Sequence, residues 1–147
     1  MPSALLSSPI LAQLNSGVIV IDEHFNVHYI NAFIERHANL TQASVVGQSI
    51  FTVFQDLPEA WLKRKLMSVL DLKTPAFSSW EQRQYIFKLP HLRPVTSSSQ
   101  YMAQNCTMVP LSAAPDSPAM ICILIEDATD TFVYQQHLSK TLLELEK

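Results

Sequence analysis

The stretch Ala119–Asp130, with the sequence A-M-I-C-I-L-I-E-D-A-T-D, carries the most information about the fold of this chain. Its seven consecutive apolar residues, Ala119–Ile125, include several that are β-branched, and their number and type favour a strand buried on both faces over a helix. Glu126 ends the apolar run, and the Asp and Thr side chains that follow can accept hydrogen bonds from the first N–H groups of a new helix. We therefore predict a central strand that leads directly into a capped helix.

The segment after this stretch, Thr131–Lys147, is predicted to be that helix. It contains no Gly or Pro and is rich in Leu, Glu, Lys and Gln, which are good helix formers. Leu138, Leu142 and Leu145 are separated by four and three residues, a spacing typical of a coiled-coil seam. Because strand and helix are continuous, a strain in the strand can move the helix, and we interpret the helix as the output lever of a sensor.

The size and composition of the chain indicate one domain with a substantial core, since 48% of its 147 residues are hydrophobic. The net charge of −3 does not favour a nucleic-acid partner, which needs a basic surface. No apolar run approaches the roughly 18 residues that span a bilayer, and the N-terminus lacks the positive region of a signal peptide. Two cysteines, Cys106 and Cys122, do not make a disulfide framework. We expect a cytoplasmic protein without a membrane partner.

Motifs of known catalytic chemistry are missing from the sequence. Glycine occurs only at Gly17 and Gly47, which excludes the Gly-rich phosphate loops and dinucleotide fingerprints. There is no nucleophile elbow, no H-E-x-x-H string and no close pair of Cys ligands for zinc. We therefore predict no catalytic residue and no metal site in this segment, which we do not expect to be an enzyme.

The first part of the chain is predicted to contain two helices around a hairpin. Ser3–Leu14 has the apolar spacing of a short amphipathic helix. Val18–Ile21 and Val27–Ile30 are apolar runs on either side of a polar turn, and we predict that they pair as a hairpin. Asn31 is a good N-cap for a helix over Ala32–Ala38.

The second part of the chain is predicted to change from helix to strands. Pro58–Leu72 is an amphipathic helix with its proline in the first turn, whereas Ile50–Phe54 is too short to assign. We predict strands over Ala76–Trp80, Gln84–Leu89 and Tyr101–Leu111. Strands at both ends with helices between them indicate an α+β fold, an antiparallel sheet with helices on one face.

The register of the last two strands can be predicted from the turn between them. If they pair about its middle, Val109 faces Cys122 and Cys106 faces Ile125. The two cysteines would then lie on opposite faces of the sheet and would not pair. A slip of one residue would reverse the faces.

This order of elements, with particular residues in it, resembles the PAS (Per-ARNT-Sim) sensor domain over about Leu11–Leu138. The hairpin G-V-I-V-I-D-E-H-F-N-V-H-Y-I-N, the segment V-G-Q-S-I-F and the triplet D-A-T resemble PAS motifs. The residues that match are Gly17, Asp22, Asn26, Asn31, Val46–Phe51 and Asp127–Thr129. The resemblance implies a five-stranded antiparallel sheet with helices on one face, an N-terminal helix and a C-terminal signalling helix. The domain would cover residues 16–130. A capping helix at 1–15 would precede it, and residues 131–147 would form the first part of a signalling helix.

The resemblance also implies a function, a sensory and dimerisation module that regulates a C-terminal output domain in the same polypeptide. The segment Y-M-A-Q-N-C-T-M-V-P-L at 101–111 looks like that of PAS domains ahead of GGDEF diguanylate cyclase modules in gamma-proteobacteria, which act in cyclic-di-GMP signalling. No GGDEF string occurs here, so such a module would follow Lys147. The alternatives are a ligand-free dimerisation scaffold, or the PAS module of a histidine kinase or transcription regulator.

A homodimer is expected for two reasons. The leucine seam of the last helix suits a coiled coil. Val18–Ile21 is apolar on both faces, so the face away from the helices needs a cover, which the N-terminal helix or a second subunit could supply.

PAS domains often hold a ligand between the sheet and the central helices, and the resemblance implies candidate walls for such a pocket. These are Phe33, His37, Phe51, Phe54, Leu66, Trp80, Phe87, Cys106, Met108 and Ile123. An ordinary packed core is the competing interpretation, since pockets and cores are both apolar. Gln104 and Asn105 could supply polar contacts or face water. Asp127 and Thr129 would relay the signal to the last helix.

The identity of a cofactor stays open between a small metabolite and none. A haem-binding PAS domain typically uses a His on the long helix, but Pro58–Leu72 has none. Of the five histidines only His37 could face a pocket, and a hydrogen-bonded or exposed His37 is the simpler interpretation. Light-sensing LOV domains need a Cys within N-C-R-F-L-Q on a helix, whereas Cys106 follows Asn105 on a predicted strand, so a flavin adduct is not expected.

Overall fold

The computed structural model describes residues 16–92, 100–111 and 118–145. The predicted N-terminal helix, at 1–15, lies outside the described residues. The strands are β1 (Ser16–Asp22), β2 (Val27–Ile30), β3 (Ala76–Ser78), β4 (Gln104–Leu111) and β5 (Met120–Asp127). The helices are α1 (Ala32–Ala38), α2 (Gln42–Val45), α3 (Ile50–Val53), α4 (Glu59–Leu72) and α5 (Thr129–Leu145).

The five strands form one antiparallel sheet in the order β2-β1-β5-β4-β3. The strand from the most informative stretch, β5, pairs with β1 on one side and β4 on the other. The prediction of a central last strand is therefore confirmed, as is the α+β class.

The predicted register of the last two strands is also confirmed. Cys106 lies opposite Ile125, and Val109 lies opposite Cys122. Cys106 is buried in the core, whereas Cys122 is only half-buried on the other face of the sheet. Both cysteines are free thiols.

The two faces of β5 differ in burial, and here the prediction of a strand buried on both faces is wrong. Ile121, Ile123 and Ile125 point into the core and are at most 1% exposed, while Leu124 on the opposite face is 38% exposed. The outward residues of β5 are thus only partly shielded from water, since Cys122 is half-buried and Leu124 is exposed. On neighbouring β1, Val18 and Val20 share the outward face and are buried within the single chain.

Asn31 joins the hairpin to the first helix. Its Oδ1 accepts the N–H of Ile34 in the first turn of α1 and the N–H of Val18 in β1, at 3.3 and 3.0 Å. Its Nδ2 donates to the carbonyl oxygen of Ser16 at 2.8 Å. The predicted N-cap thus also fixes α1 against the start of the sheet, where the Cα of Gly17 leaves room for Ile34.

The helices between β2 and β3 cover the core face of the sheet. The unassigned segment at Ile50 is the short helix α3, in which the N–H of Phe51 donates to Ser49 Oγ at 3.3 Å. In α4, Leu62, Leu66 and Val69 are buried, as their spacing predicts. Pro58 lies at the N-cap of α4, one residue before the helix begins, and not inside its first turn.

The predicted strand at Gln84–Leu89 is wrong, and two others are shorter than predicted. Residues 84–89 run beside the start of β4, but the N–H groups of Ile86 and Phe87 donate to the side chain of Gln104 instead of to a strand. An apolar run alone does not show whether its backbone finds a partner strand. The strand predicted from Ala76 ends at Ser78, and the one predicted from Tyr101 begins at Gln104.

Candidate functional site

Most of the predicted pocket residues come together, and they pack against one another. Eight of the ten belong to one hydrophobic cluster or pack against its edge: Phe33, Phe51, Phe54, Leu66, Phe87, Cys106, Met108 and Ile123. The rings of Phe54 and Phe87 meet edge to face at a centroid distance of 5.1 Å. Leu66, Phe87, Cys106 and Met108 are fully buried. These side chains fill the space between the sheet and α4 as a core.

The other two predicted residues, His37 and Trp80, lie outside this cluster. The ring centroids of His37 and Phe33 lie 4.2 Å apart. His37 Nδ1 donates to the carbonyl oxygen of Pro90 at 3.1 Å. Trp80 packs edge to face against Phe132 in the first turns of α5, with 5.5 Å between the ring centroids. One residue therefore borders a surface cleft and the other supports the exit helix.

Gln104 makes more of the site's polar contacts than the sequence could indicate. Its side chain is 1% exposed, and its Oε1 accepts the N–H groups of Ile86 and Phe87 at 3.0 and 3.1 Å. Its Nε2 donates to the carbonyl oxygen of Phe87 at 2.8 Å. The alternative of a water-facing Gln104 is wrong, because the irregular segment 84–89 uses this side chain in place of a partner strand. Asn105 Oδ1 accepts the N–H of Trp80 at 3.2 Å.

The junction between β5 and α5 is hydrogen-bonded to the residue that precedes β4. Asp127 Oδ1 accepts the N–H of Thr129 at 2.9 Å, which satisfies one N–H at the start of the helix. Thr129 is buried, and its Oγ1 accepts the N–H of Ala103 at 3.2 Å. The N–H of Ala128 donates to the carbonyl oxygen of Ala103 at 2.7 Å. Both predicted relay residues thus hold the beginning of α5 in place.

Ala103 and Gln104 are neighbours in the chain, so the contacts form one connected network. It runs from the core residue Phe87, through the side chain of Gln104 and the backbone of Ala103, to Thr129 at the start of α5. A change in the packing of Phe87 can reach the exit helix along this path. No sequence motif marks it, because two of its four members, Phe87 and Ala103, take part only through backbone atoms.

The exit helix α5 carries exposed leucines beyond its first turns. All described residues from Tyr134 onward are exposed, so the helix projects from the globule and does not fold back onto it. The predicted seam residues Leu138, Leu142 and Leu145 are 42%, 53% and 77% exposed. Within the described chain, this apolar stripe lies open to water.

A cleft of about 490 Å³ lies between α1, residues 91–92 and the β5–α5 junction, and we name it the junction cleft. Its lining residues are Phe33, Arg36, His37, His91, Leu92, Asp127 and Asp130. Three of them are predicted from the sequence, Phe33 and His37 as pocket walls and Asp127 as a relay residue. The cleft was missed because its walls come from stretches far apart in the chain.

The cysteines are chemically quiet in this environment. Burial raises the pKa of the Cys106 thiol to about 12, and it also raises the pKa of Cys122. Both are thiols near neutral pH, and a thiol is a poor nucleophile and a poor metal ligand. In the described ranges, no group of three or more His, Cys, Asp and Glu side chains could hold a metal ion. Nor is any helix of these ranges both long and apolar enough to cross a bilayer.

Comparison with solved structures shows which fold this is. A sensory box sensor histidine kinase from Vibrio cholerae is 26% identical, with a TM-score of 0.58, and the match covers 85% of this chain and 91% of that one. The PAS domain of nitrogen regulation protein NR(II) from Vibrio parahaemolyticus is 17% identical, with a TM-score of 0.58, over 83% and 97% of the two chains.

A third similar structure is the PAS domain of BvgS from Bordetella pertussis. It is 16% identical, with a TM-score of 0.54, over 94% of this chain and 92% of that one. No protein-family model matches this chain. A search of curated proteins likewise gives no match. The structural similarities cover nearly the whole domain, so the sheet and helices described above form a PAS fold.

Proposed function

We propose that this chain, which has the PAS fold, is a sensory and dimerisation module that regulates a C-terminal output domain in the same polypeptide. The observation that carries the proposal is the continuity of β5 with α5. A strand in the middle of the sheet continues through a hydrogen-bonded junction into a helix that leaves the globule. This construction converts a small shift of the sheet into a movement of the helix. The domain thus covers residues 16–130, and the signalling helix extends from there.

The signal passes to the helix by a change between two arrangements of the junction. A ligand can shift such an equilibrium only if it binds one arrangement more tightly than the other. A ligand at Phe87 or at the junction itself meets different contacts in the two arrangements, because Gln104 and Ala103 connect Phe87 to Thr129. The core side chains named above are the proposed interior contacts of such a ligand, a small metabolite.

The dimer forms through the exposed leucines of α5. With Leu142 at heptad position a, Leu138 and Leu145 fall at d, which is the seam of a two-stranded coiled coil. Gln135 then occupies the preceding a position, and a polar residue there specifies register at some cost in stability. Two parallel exit helices would deliver the two output domains side by side. We place the module in the cytoplasm, without a nucleic-acid or membrane partner.

The output domain is proposed to be a diguanylate cyclase, as the segment 101–111 suggests, and the chain itself carries no catalytic role. A histidine kinase is the second candidate, because the similar structure from Vibrio cholerae belongs to a sensor histidine kinase. The coding sequence after Lys147 distinguishes the two: a GGDEF string supports the cyclase, and a phosphoacceptor His helix with an ATP-binding domain supports the kinase.

A ligand-free dimerisation scaffold is favoured by one specific observation, the dense packing of the eight core side chains. Native mass spectrometry of the purified chain separates this candidate from the sensor with an interior ligand. A mass equal to that of the polypeptide alone supports the scaffold, and a released small molecule of constant mass supports the interior ligand.

The relay is tested by Asp127→Ala in the full-length protein. Removing the carboxylate leaves the N–H of Thr129 without its acceptor and loosens the start of α5 by about 1 kcal/mol. We expect the signal-dependent change in output activity to be lost. Asp56→Ala is the matched control, because Asp56 is exposed and precedes α4. Regulation that is unchanged in Asp127→Ala would contradict the relay.

A further inference from the structure

The junction cleft has a chemical character that the interior core lacks, since both signs of charge face it. Arg36 and two histidines, His37 and His91, come from one side. Asp127 and Asp130, at the start of the exit helix, come from the other. Phe33 and Leu92 add apolar surface. A pocket of this composition selects ligands by charge and by shape.

The basic side of the cleft has unused hydrogen-bonding capacity. Among the residues that the structure describes, His91 Nε2 has no hydrogen-bond partner, and an orphaned buried nitrogen costs free energy. Arg36 is exposed and forms no ion pair with any residue of the described ranges. His37 is held by its bond to the Pro90 carbonyl, so the wall is already ordered. A carboxylate suits this side, because guanidinium binds it with two parallel bonds.

The acidic side of the cleft suits an ammonium group. Each carboxylate has about four acceptor positions, so Asp127 and Asp130 can each accept a bond from an ammonium group in addition to those they already make. A ligand with two negative charges would meet these carboxylates unfavourably. A simple amine would leave His91 Nε2 and Arg36 as they are.

We propose that the junction cleft binds a small zwitterion of the α-amino-acid class. The carboxylate of the ligand lies towards Arg36 and His91, its ammonium group towards Asp127 and Asp130, and its side chain against Phe33 and Leu92. Such a ligand connects α1 to the first turn of α5 and so bears directly on the exit helix. This inference rests on the proposed sensory function, and it adds to the interior contacts a second site for a signal, outside the packed core.

The experiment uses the purified 147-residue chain at neutral pH. Its melting temperature is measured with each of the twenty L-amino acids, and those that raise it are titrated by calorimetry. For the tightest one, the amine that lacks the carboxylate and the acid that lacks the ammonium group are titrated as well. We expect saturable binding of at least one amino acid and at least about tenfold weaker binding of both analogues, since each loses a charge-assisted contact.

The placement of the ligand is tested by Arg36→Gln, with Arg64→Gln as the matched control. Both arginines are exposed on helices, so circular dichroism should show both variants folded. We expect Arg36→Gln to weaken binding about tenfold or more and Arg64→Gln to leave it unchanged. Binding of no amino acid, equal binding of the acid analogue, or equal binding by Arg36→Gln would each overturn the proposal. None of these results would touch the relay through Asp127 or the leucine seam, which have their own tests.

Discussion

At the scale of single residues, two amide side chains decide how the parts of the domain are joined. Asn31 accepts N–H groups from both α1 and β1, and Gln104 does the same for the irregular segment 84–89. Buried polar groups in proteins are nearly always hydrogen-bonded, so each amide replaces backbone pairing that the local geometry does not allow. Asn31 could be recognised from its position before a helix. Gln104 could not, because nothing in the sequence shows that segment 84–89 lacks a partner strand.

The importance of Gln104 is tested by Gln104→Leu. The substitution keeps the side-chain size but leaves the N–H groups of Ile86 and Phe87 and the carbonyl of Phe87 without partners in a buried place. We expect a loss of about 3 kcal/mol in the free energy of unfolding, measured with urea. Gln82→Leu is the control at an exposed turn, with a change within about 0.5 kcal/mol. Equal stability of Gln104→Leu and the native chain would show that these bonds are dispensable.

At the scale of elements, the last strand and the last helix behave as one unit. Ala128 and Thr129 are buried, Phe132 and Val133 are half-buried, and every described residue of α5 after Val133 is exposed. An isolated helix of this length is marginal in water, and most helices in proteins depend on packing of an apolar face. The exposed stripe of Leu138, Leu142 and Leu145 therefore favours a helix stabilised by a partner.

The seam is tested by Leu142→Asn, which places a polar side chain in the middle of the stripe. We expect the dissociation constant of the dimer, measured by sedimentation equilibrium, to rise about tenfold or more. Leu143→Asn is a control on the same helix, because Leu143 is also exposed but lies beside the seam. We expect it to change dimerisation much less. A monomeric native chain, or equal effects of both variants, would contradict the seam.

At the scale of the whole molecule, the sheet has β2 and β3 at its edges and its most buried strands in the middle. The edge hairpin is closed by Asp22, which accepts the backbone N–H groups of His24 and Asn26 and a bond from the His28 ring, all at 2.9 Å. Burial alone would raise the pKa of Asp22. The hydrogen bonds outweigh it, so that the pKa lies below its ordinary value of 3.8.

A lowered pKa in the folded state makes stability depend on pH in one direction. The contribution of Asp22 is present above the pKa of the unfolded chain and is lost as the pH falls through the lower pKa of the folded state. We expect the free energy of unfolding of Asp22→Asn to depend less steeply on pH between about 5 and 3 than that of the native chain. Urea unfolding at several pH values measures this. Parallel curves for the two proteins would show that Asp22 carries no such contribution.

The amino-acid sequence by itself determined the opening hairpin, the long helix α4, the central last strand, the register of β4 with β5 and the continuous exit helix. These follow from local properties: the period of apolar residues, the capping chemistry of Asn31 and Asp127, and the length of one turn. Only the tertiary structure decided that segment 84–89 is irregular, that β5 is covered on one face, and that Arg36, His91 and Asp130 share a cleft. These features depend on which distant atoms meet, and a polar side chain such as Gln104 has the same local pattern whether it meets water or backbone.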